Sequence, residues 1–563
     1  MSLIYNYLTL EKRDNLLIMK YSVFELIFQE VTMNLRDISS MTNMLSCVVF
    51  AVILVSAKSA KILGIFMTPS HSHQQVFQPI WRELSLRGHE VTVFTPNPLK
   101  DPSLTNLTEI DLSFSYDVFL NHSHKNFKWE SKSEEIKALF EGFSAVFHDQ
   151  ISSPEMQKLL ANKNKVKYDL FLVENLYPCM YAFKDVFDCP MIGITSLPLT
   201  ISAVQMLGLV KHPVLDPDLF LPFSVDLSFK ERVTSTIFYS IFKLNGYFNL
   251  APKLNAETRK YFGPKTRDVY TIASEMSLIL GNFNYVTQNI RPHVPAFVEI
   301  SGIHLQPEKP LPKDLKQILD ESKEGVVYFN LGSNVKSSLL PRDKLDAILS
   351  AFSELEYKVL FKFETDDLTN VSSVPSNVEI RKWFPQQDVL RHPNVKLFVT
   401  QGGLQSIDEA LNAKVPLLII AVFGDQLFNA HKMVSSGAGL SIDFDNLSKG
   451  ELVEKINKVI QNPEYKKTVS KLGAIAFDHQ VPPLEKAVWW IEYVLRHNGA
   501  HHLRYKGAGM PFYQYYLLDV FCFLGLVCAL TTYSVFKIAK MLILGIRFIS
   551  RNRKPNESLK KSQ

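Results

Sequence analysis

The sequence predicts an α/β fold in two domains, followed by one C-terminal transmembrane helix. A strand, a helix and a second strand follow one another over residues 61–95, which suits a Rossmann-like half-domain with a parallel sheet. A second strand–turn–helix–strand succession occupies residues 395–422. Residues 520–536 form an uncharged apolar run of the kind that crosses a membrane.

Length and composition agree with this fold class. At 563 residues the chain is too long for one small core, and two domains with appendages are expected. Apolar residues make up 46% and charged residues 21%, which excludes wholesale disorder. The net charge of +5 is mild, and much of the positive excess lies in the C-terminal tail. We therefore expect no nucleic-acid partner.

Residues 1–60 are interpreted as an N-terminal extension that ends in a secretory signal peptide. The apolar run within residues 44–57 has the length of a signal-peptide core and is shorter than the roughly 20 apolar residues that cross a membrane. Residues 1–40 carry mixed charges and no clear pattern, so we assign them no function. Several internal methionines offer alternative starts.

The first strand, residues 61–66, predicts a candidate base at its end. A polar loop over residues 68–75 carries His73 and precedes a helix over residues 76–87. Ligand clefts of α/β folds form at the carboxyl ends of strands, and an imidazole can take a proton from a hydroxyl at neutral pH. Glu174 ends another strand and is a candidate carboxylate to orient that base. A solvated loop histidine and a solvated carboxylate are the alternatives.

Motifs of other ligand classes are missing from the sequence. No Gly-x-Gly-x-x-Gly follows the first strand, no Walker loop occurs, and no Cys/His spacing indicates zinc. We expect no metal or cofactor, and we interpret His71 as loop surface. The two cysteines of the globular body, Cys179 and Cys189, are either paired or two buried free thiols.

The stretch from residue 395 to residue 426 predicts a phosphate site. An apolar strand leads into Gly402–Gly403 and then into a helix that contains Ser406 and Glu409. Helix N-terminal N–H groups point at a bound anion, and glycine lets the anion approach the backbone closely. These residues alone indicate a phosphate-bearing ligand and no more.

Residues 398–430 resemble the signature of the UDP-glycosyltransferase family. The matching residues are Phe398, Thr400, Gly402, Gly403, Ser406, Glu409, Ala410, Val415, Pro416, Asp425, Gln426, Asn429 and Ala430. Lys414 stands where the family usually has glycine and Ala421 where proline is common. Gln401 replaces the more widespread histidine, as in arthropod members.

Motifs elsewhere in the chain extend the resemblance to residues 61–550. Ser72–His73 is similar to the family's site for its catalytic base, and Gly332–Ser333 to its second phosphate-contacting turn. Residues 383–386, WFPQ, resemble the segment whose tryptophan faces uracil. Glu174 stands where the family has aspartate, which is one methylene shorter.

The resemblance implies the GT-B fold, in which two Rossmann-like domains face a cleft. The expected acceptor-binding domain is residues 61–302, and the apolar, aromatic residues 197–300 would shape its pocket, touch the membrane or form plain core. A linker over residues 303–324 precedes a UDP-sugar-binding domain over residues 325–470. Closing helices at 471–512, a transmembrane segment at 513–540 and a basic cytosolic tail at 541–563 complete the chain.

The resemblance also implies the site residues. His73 and Glu174 would be catalytic, and UDP-sugar would bind to Ser333, Trp383, Gln386, Gln401, Gly403, Gln405, Ser406, Glu409, Asp425 and Gln426. The implied reaction is inverting transfer of a sugar, glucose by similarity to arthropod members, to the hydroxyl of a small lipophilic acceptor.

The apolar segments near the two ends of the chain predict its location in the cell. Tyrosines before the C-terminal apolar run and lysines and arginines after it predict a type I span with a luminal body, and Lys560–Lys561 fits an endoplasmic reticulum retrieval signal. Asparagines of Asn-x-Ser/Thr sequons on the luminal side are candidate glycosylation sites: Asn106, Asn121, Asn370 and Asn446.

Two other functions remain open at this level. One is a catalytically silent, membrane-anchored protein that binds lipophilic molecules, since Glu174 departs from the family pattern. The other is a glycosyltransferase that acts on lipid backbones. The sequence leaves the acceptor and homo-oligomerisation undecided.

Overall fold

The structure is a computed structural model that describes residues 59–123, 132–209, 211–223, 226–367 and 373–552. The predicted signal peptide, the sequon at Asn370 and the terminal lysines lie outside the described residues. From residue 60 onward the chain forms one compact unit.

The first sheet has seven parallel strands in the order β3-β2-β1-β4-β5-β6-β7. Its strands are β1 (Lys61–Ile65), β2 (Glu90–Thr95), β3 (Leu107–Asp111), β4 (Leu170–Glu174), β5 (Met191–Thr195), β6 (Leu278–Gly281) and β7 (Phe297–Glu299). β1, β4, β5 and β6 are almost wholly buried, which explains their continuous apolar runs.

Helices and loops surround this sheet and extend beyond it. They are α1 (His71–Leu86), α2 (Ser115–Ser123), α3 (Lys132–Ser152), α4 (Pro154–Ala161), α5 (Phe183–Phe187), α6 (Ile201–Met206), α7 (Phe229–Asn245), α8 (Ala251–Phe262) and α9 (Val269–Ala273). A short π-helical segment, Gly246–Leu250, joins α7 to α8.

The second sheet has six parallel strands in the order β10-β9-β8-β11-β12-β13. Its strands are β8 (Val326–Asn330), β9 (Lys358–Lys362), β10 (Val378–Arg381), β11 (Val395–Thr400), β12 (Leu417–Ala421) and β13 (Gly439–Asp443). Its helices are α10 (Lys313–Glu321), α11 (Arg342–Phe352), α12 (Gln386–Arg391), α13 (Leu404–Ala413), α14 (Gln426–Ser435), α15 (Lys449–Gln461) and α16 (Pro463–Ala476).

Each sheet reverses its strand order at one point, and ligands of open α/β sheets bind at such points. In the first sheet the reversal lies between β1 and β4, so the residues after β1 and the end of β4 meet there. In the second sheet it lies between β8 and β11, which brings the turns after these two strands together. The strand orders therefore place every predicted motif at a strand end that can line a site.

The C-terminal helices return to the first domain, as expected. α17 (Pro483–Arg496) buries Ala487, Val488, Ile491 and Val494 in the same apolar core as the first sheet. α18 (Phe512–Tyr515) and α19 (Leu518–Asn552) follow.

α19 is long and apolar enough to cross a membrane, and its residues are exposed throughout. At 35 residues it spans about 52 Å, more than the roughly 30 Å of a bilayer core. The helix continues twelve residues beyond residue 540, where we placed the start of the tail, because apolar residues recur as far as Ile549.

The structure corrects the predicted start of the first helix. α1 begins at His71, so His71 and His73 lie in its first turn and not in a loop. The apolar periodicity starts only at Val76 because this first turn faces a polar cleft. Gln74 is buried and donates to the carbonyl of Thr68, which closes the strand–helix connection.

Lys414 adopts the left-handed conformation (φ 60°, ψ 35°) at the end of α13, where the family commonly has glycine. This conformation costs a residue with a side chain about 1–2 kcal/mol, whereas glycine adopts it freely. We expect Lys414→Gly to raise the free energy of unfolding by about 0.5–1 kcal/mol after the added entropy of the unfolded chain is subtracted. Thermal denaturation of the purified full chain measures this.

Lys467→Gly is the matched control. Lys467 is exposed within α16, where glycine lowers helix stability by about 1 kcal/mol. A loss of stability in both variants would contradict the strain assigned to Lys414.

Candidate active site

His73 and Glu174 meet at the reversal point of the first sheet. Nδ1 of His73 lies 3.3 Å from Oε1 of Glu174, whose other oxygen accepts the backbone N–H of Thr68 at 2.9 Å. Glu174 is only 2% exposed, so the carboxylate is held in one orientation. Because Nδ1 is engaged, Nε2 is the ring nitrogen left to accept a proton from a ligand. The longer glutamate side chain therefore reaches the histidine.

His73 opens onto an apolar cavity that encloses about 1410 Å³ of empty space, part of it open to solvent. This apolar cavity is lined largely by hydrophobic side chains: Phe119, Leu139, Phe140, Phe143, Leu176, Pro178, Leu197, Ile201, Met206, Leu219, Phe220, Phe242, Leu250, Leu254 and Phe423. Its polar lining residues, among them His73, Asn334 and Asp425, are fewer than its hydrophobic ones, so an aliphatic or aromatic molecule fits it better than a charged one.

A second, polar cavity adjoins it at the reversal point of the second sheet. Its lining includes Ser333, Trp383, Gln386, Gln401, Gly403, Gln405, Ser406 and Glu409. Four residues line both cavities and so form the boundary between them: Ser72, Gln401, Gly403 and Gln405.

Trp383 presents a flat ring to the polar cavity. The side chain is 56% exposed, with His71 edge-on at a ring-centroid distance of 5.1 Å and Nζ of Lys362 at 5.8 Å from the ring centroid. An exposed indole face can stack a flat base. His71 is thus part of the site and not the loop surface that the sequence suggested. Burial and nearby Lys362 lower the pKa of His71, which favours a neutral ring.

Glu409 is held in a network of amide donors. Gln386 Nε2 donates to Glu409 Oε2 at 2.6 Å, and Gln387 Nε2 donates to Oε1 at 3.1 Å. Gln386 Nε2 also contacts Ser406 Oγ at 3.1 Å. Burial raises the pKa of Glu409 to about 7 although both amides act to lower it. The carboxyl therefore changes charge near neutral pH, and its ionised form can accept two neighbouring hydroxyls.

Two glycines allow the phosphate turn to form. Gly332 has φ +87°, and a Cβ there would lie 2.4 Å from Nε2 of Gln401. Gly402 has the same φ, and a Cβ there would lie 2.6 Å from Ile419. α13 begins immediately afterwards with Gly403 as its N-cap, so its first N–H groups are directed at the polar cavity beside Ser333.

Asp425 and Gln426 line the apolar cavity opposite His73. Asp425 accepts from Asn429 Nδ2 at 2.8 Å, and burial raises its pKa although the hydrogen bond from Asn429 and the nearby His73 act to lower it. Gln426 is engaged at both ends: its Oε1 accepts the N–H groups of Val422 and Phe423, and its Nε2 donates to Gln401 Oε1 at 3.2 Å. A ligand can hydrogen-bond to the Gln426 side chain only by displacing one of these partners.

The structure brings the predicted catalytic and UDP-sugar-binding residues to one cleft between the two sheets. Three hydrogen bonds join its walls: Gln405 Nε2 to Ser196 O at 2.9 Å, Asn334 Nδ2 to Ser70 Oγ at 3.1 Å, and Gly424 N to Glu135 Oε1 at 2.8 Å. Of these six residues, only Gln405 was predicted from the sequence. The partners lie between 200 and 300 residues apart, and no local pattern marks them.

Lys362 is a site residue that the sequence analysis missed. Its Nζ is buried, donates to Gly332 O at 2.7 Å and pairs with Glu364 at 3.1 Å. It places a positive charge beside the turn that carries Ser333. The one signal in the sequence was that the strand KVLFK ends in a lysine after three apolar residues.

His304 is a second such residue, in the segment we assigned to the linker. It is 1% exposed, and its Nε2 lies 3.3 Å from Gln405 O. Burial lowers its pKa to about 4, so the ring is neutral and supports the start of α13 without adding charge.

The remaining candidates fall outside the cleft. Cys179 and Cys189 are two buried free thiols, and burial raises the pKa of each to about 12. The sequon asparagines Asn106, Asn121 and Asn446 are exposed.

The comparisons with known proteins agree on one family. The model described as "UDP-glucoronosyl and UDP-glucosyl transferase" matches residues 60–554. The UDP-glycosyltransferase UGT5 of Dactylopius coccus is 36% identical over 83% of this chain and 89% of its own length. An ecdysteroid UDP-glucosyltransferase of Lymantria dispar multicapsid nuclear polyhedrosis virus is 33% identical over 83% and 93%. Human UDP-glucuronosyltransferase 2B7 is 30% identical over 82% and 89%.

Solved structures agree on the fold. The glycosyltransferase VinC in complex with DTDP superposes with a TM-score of 0.52 at 16% identity, over 78% of this chain and all of that one. The glycotransferase of kitacinnamycin gives the same TM-score at 19% identity, over 77% and 98%. The two facing parallel sheets are therefore the GT-B fold, as predicted.

The exposed ring of Trp383 leads to a binding prediction. Trp383→Ala should weaken binding of uridine diphosphate by about 1–3 kcal/mol, the usual loss when a stacked base loses its aromatic partner. Isothermal titration of the detergent-solubilised full chain measures the change. Trp489→Ala is the control, because Trp489 is also exposed but lies on α17. Equal affinities of the Trp383→Ala variant and the unsubstituted chain would exclude stacking.

Glu409 leads to a pH prediction. Its pKa of about 7 means that the carboxylate is present above pH 7 and is lost as the pH falls. Affinity for uridine diphosphate should therefore decline from pH 8 to pH 6, if ribose hydroxyls are held by the carboxylate. Glu409→Gln should bind more weakly at pH 8 and lose most of this pH dependence. An unchanged pH profile in the variant would assign the dependence to another group.

Proposed function

The chain belongs to the UDP-glucuronosyl and UDP-glucosyl transferase family and is a glycosyltransferase. We propose that it transfers glucose from UDP-glucose to a hydroxyl of a small lipophilic acceptor, with inversion at the anomeric carbon. The observation that carries this proposal is that His73, oriented by Glu174, and the start of α13 line the same cavity from opposite sides.

The acceptor hydroxyl binds in the apolar cavity and gives its proton to Nε2 of His73. Its oxygen attacks the anomeric carbon from the side opposite the diphosphate, so that a new carbon–oxygen bond forms as the bond to UDP breaks. Glu174 stabilises the imidazolium that results. The negative charge that develops on UDP is met by Ser333, Gln401 and the first N–H groups of α13. Gln401 is neutral, so its contact is an uncharged hydrogen bond. This scheme needs no metal or cofactor.

UDP binds in the polar cavity, with uracil on Trp383 and the ribose hydroxyls on Glu409. Gln386 positions Glu409 through their 2.6 Å hydrogen bond. In this scheme Asp425 and Gln426 lie where the sugar meets the acceptor. The Asp425 carboxyl suits the neutral hydroxyls of glucose better than the carboxylate of a glucuronosyl group, because two carboxylates at one site repel each other. The name of a further relative, UDP-glucosyltransferase 2 of Dactylopius coccus, supports glucose.

The acceptor class follows from the apolar cavity. Its hydrophobic lining favours a lipophilic alcohol or phenol, and two viral relatives carry the name ecdysteroid UDP-glucosyltransferase. Detoxification of such compounds is the role we propose. Transfer to a lipid backbone uses the same chemistry and would appear in acceptor profiling.

We place the enzyme in the endoplasmic reticulum membrane as a type I protein. The apolar helix α19 supports a single span with the catalytic body luminal and the tail cytosolic. Exposure of Asn106, Asn121 and Asn446 supports N-glycosylation of that body.

A catalytically silent binding protein is the second candidate, suggested by glutamate at position 174. The 3.3 Å contact between Glu174 and His73 argues against it, because the longer side chain preserves the pair.

The test is transfer from labelled UDP-glucose to a panel of phenols and steroids by membranes that contain the full chain. His73→Ala should lower turnover by about 10²–10⁴-fold, the usual contribution of a general base. Glu174→Asp should retain most of the activity, whereas Glu174→Gln should lose most of it. His122→Ala, at an exposed position on α2, is the control. Absence of transfer by the unsubstituted protein to every acceptor would favour the binding protein.

A further inference from the structure

Helix α3 runs along the apolar cavity. The helix has 21 residues and is therefore about 31 Å long. Three of its side chains line the cavity, Leu139, Phe140 and Phe143, and Phe143 packs against Phe119 of α2 at a ring-centroid distance of 5.3 Å. A molecule that fills the apolar cavity therefore contacts α3 directly.

The C-terminal end of α3 is fixed to the segment that follows β1. Gln150 is fully buried, and its Nε2 donates to the carbonyl of Met67 at 2.8 Å. The next residue is Thr68, whose backbone N–H donates to Glu174. α3 is thus anchored one residue away from the contact that holds the carboxylate of Glu174.

The N-terminal end of α3 reaches the second domain. Glu135, in the first turn of the helix, is 4% exposed, and its Oε1 accepts the N–H of Gly424 at 2.8 Å. Residues four apart lie above one another on a helix, so Glu135 and Leu139 share one face. This face of α3 therefore carries both a wall of the apolar cavity and a hydrogen bond to the other domain.

Gly424 belongs to the turn after β12 that leads to the two residues proposed to bind the sugar. Three successive N–H groups of this turn are hydrogen-bonded. Those of Val422 and Phe423 donate to Gln426 Oε1 at 2.8 and 3.1 Å, and that of Gly424 donates to Glu135. The first two bonds are made within the turn and the third to the first domain, so Glu135 fixes the turn relative to that domain.

We propose that Glu135 is a positioning residue through which the acceptor site and the sugar site are coupled. An acceptor that packs on α3 holds the helix in place, and the hydrogen bond from Gly424 to Glu135 then holds the turn in the conformation that binds the sugar. Because coupling between two sites is reciprocal, UDP-glucose also strengthens acceptor binding. The hydrogen bond stands independently of the reaction, whereas the coupling rests on the proposed function.

The coupling acts on the sugar and not on the nucleotide. Gly424 lines the apolar cavity, whereas Trp383 and Glu409, which are proposed to hold uracil and ribose, line the polar cavity. Loss of the hydrogen bond to Glu135 should therefore weaken binding of UDP-glucose and leave binding of uridine diphosphate unchanged. This difference separates positioning of the turn from general damage to the cleft.

Binding in the presence of an unreactive acceptor tests the coupling. Methyl ethers of the phenols in the transfer panel lack the hydroxyl that reacts, and isothermal titration of the detergent-solubilised full chain measures the Kd for UDP-glucose with and without each ether. The best ether should lower this Kd by about five- to tenfold, the lower part of the usual range for coupled sites. In Glu135→Ala the same ether should change it by at most about twofold.

Two further variants serve as controls. Glu135→Gln keeps a side-chain oxygen that can accept the N–H of Gly424, so it should retain the coupling although it lacks the charge. Glu134→Ala removes an exposed carboxylate from the same turn of α3 and should behave like the unsubstituted chain.

Hydrogen–deuterium exchange tests the hydrogen bond without any reaction. Residues 422–426 should exchange about fivefold faster in Glu135→Ala than in the unsubstituted chain, the change expected when one net hydrogen bond is lost. Residues 398–405, which carry the predicted phosphate turn, should exchange at the same rate in both. Glu135→Gln should match the unsubstituted chain.

An effect of the ether that is equal in Glu135→Ala and the unsubstituted chain, or absent from both, would overturn the coupling. Equal losses of affinity for UDP-glucose and uridine diphosphate in Glu135→Ala would also overturn it, because they would indicate damage to the polar cavity. Unchanged exchange of residues 422–426 would overturn the hydrogen bond. Absence of transfer by the unsubstituted protein to every acceptor would overturn the proposed function and the coupling with it, while exchange still decides the hydrogen bond.

Discussion

Parallel strands end at a common edge of their sheet, and two such edges face one cleft in this protein. The reversal of strand order between β1 and β4 brings His73 to Glu174, and the reversal between β8 and β11 brings Ser333 to the Gly402–Gly403 turn. The candidate base and the predicted phosphate turn, more than 300 residues apart, thus line one cavity. The hydrogen bond from Gln405 to Ser196 joins the first turn of α13 to the opposite domain, so this helix is positioned relative to the candidate base.

The cleft is divided by polarity as well as by position. On one side, amides and carboxyls form a hydrogen-bonded network around Glu409, in which burial brings the pKa close to neutrality. On the other side, aromatic and aliphatic side chains form most of the lining of the cavity that His73 opens onto. In the proposed reaction, this division gives the charged nucleotide polar surroundings and the lipophilic acceptor apolar ones. α7 extends the apolar half to the outer surface.

Much of the fold and of the site could be predicted from the sequence because the motifs are local. The strand–turn–helix at 395–413 and the segment WFPQ carry their residues within short spacings, and the glycines at 332 and 402 have the positive φ angles that such turns require. Local pattern failed where the environment is polar. The first turn of α1 lacks apolar periodicity because it faces the cleft, and α19 runs past its first lysines because apolar residues continue beyond them.

By itself, the sequence determined the family, the α/β class, the two apolar ends and the identity of the candidate base and phosphate turn. These features depend on which residue types occur close together in the sequence, and such local patterns are present whatever the tertiary structure. Tertiary structure decided which groups meet: the reach of Glu174 to His73, the free state of Cys179 and Cys189, and the placement of Lys362 and His304. Tertiary structure also decided that α7 has one face on the apolar cavity and one face exposed, because burial depends on how the chain packs and not on the order of its residues.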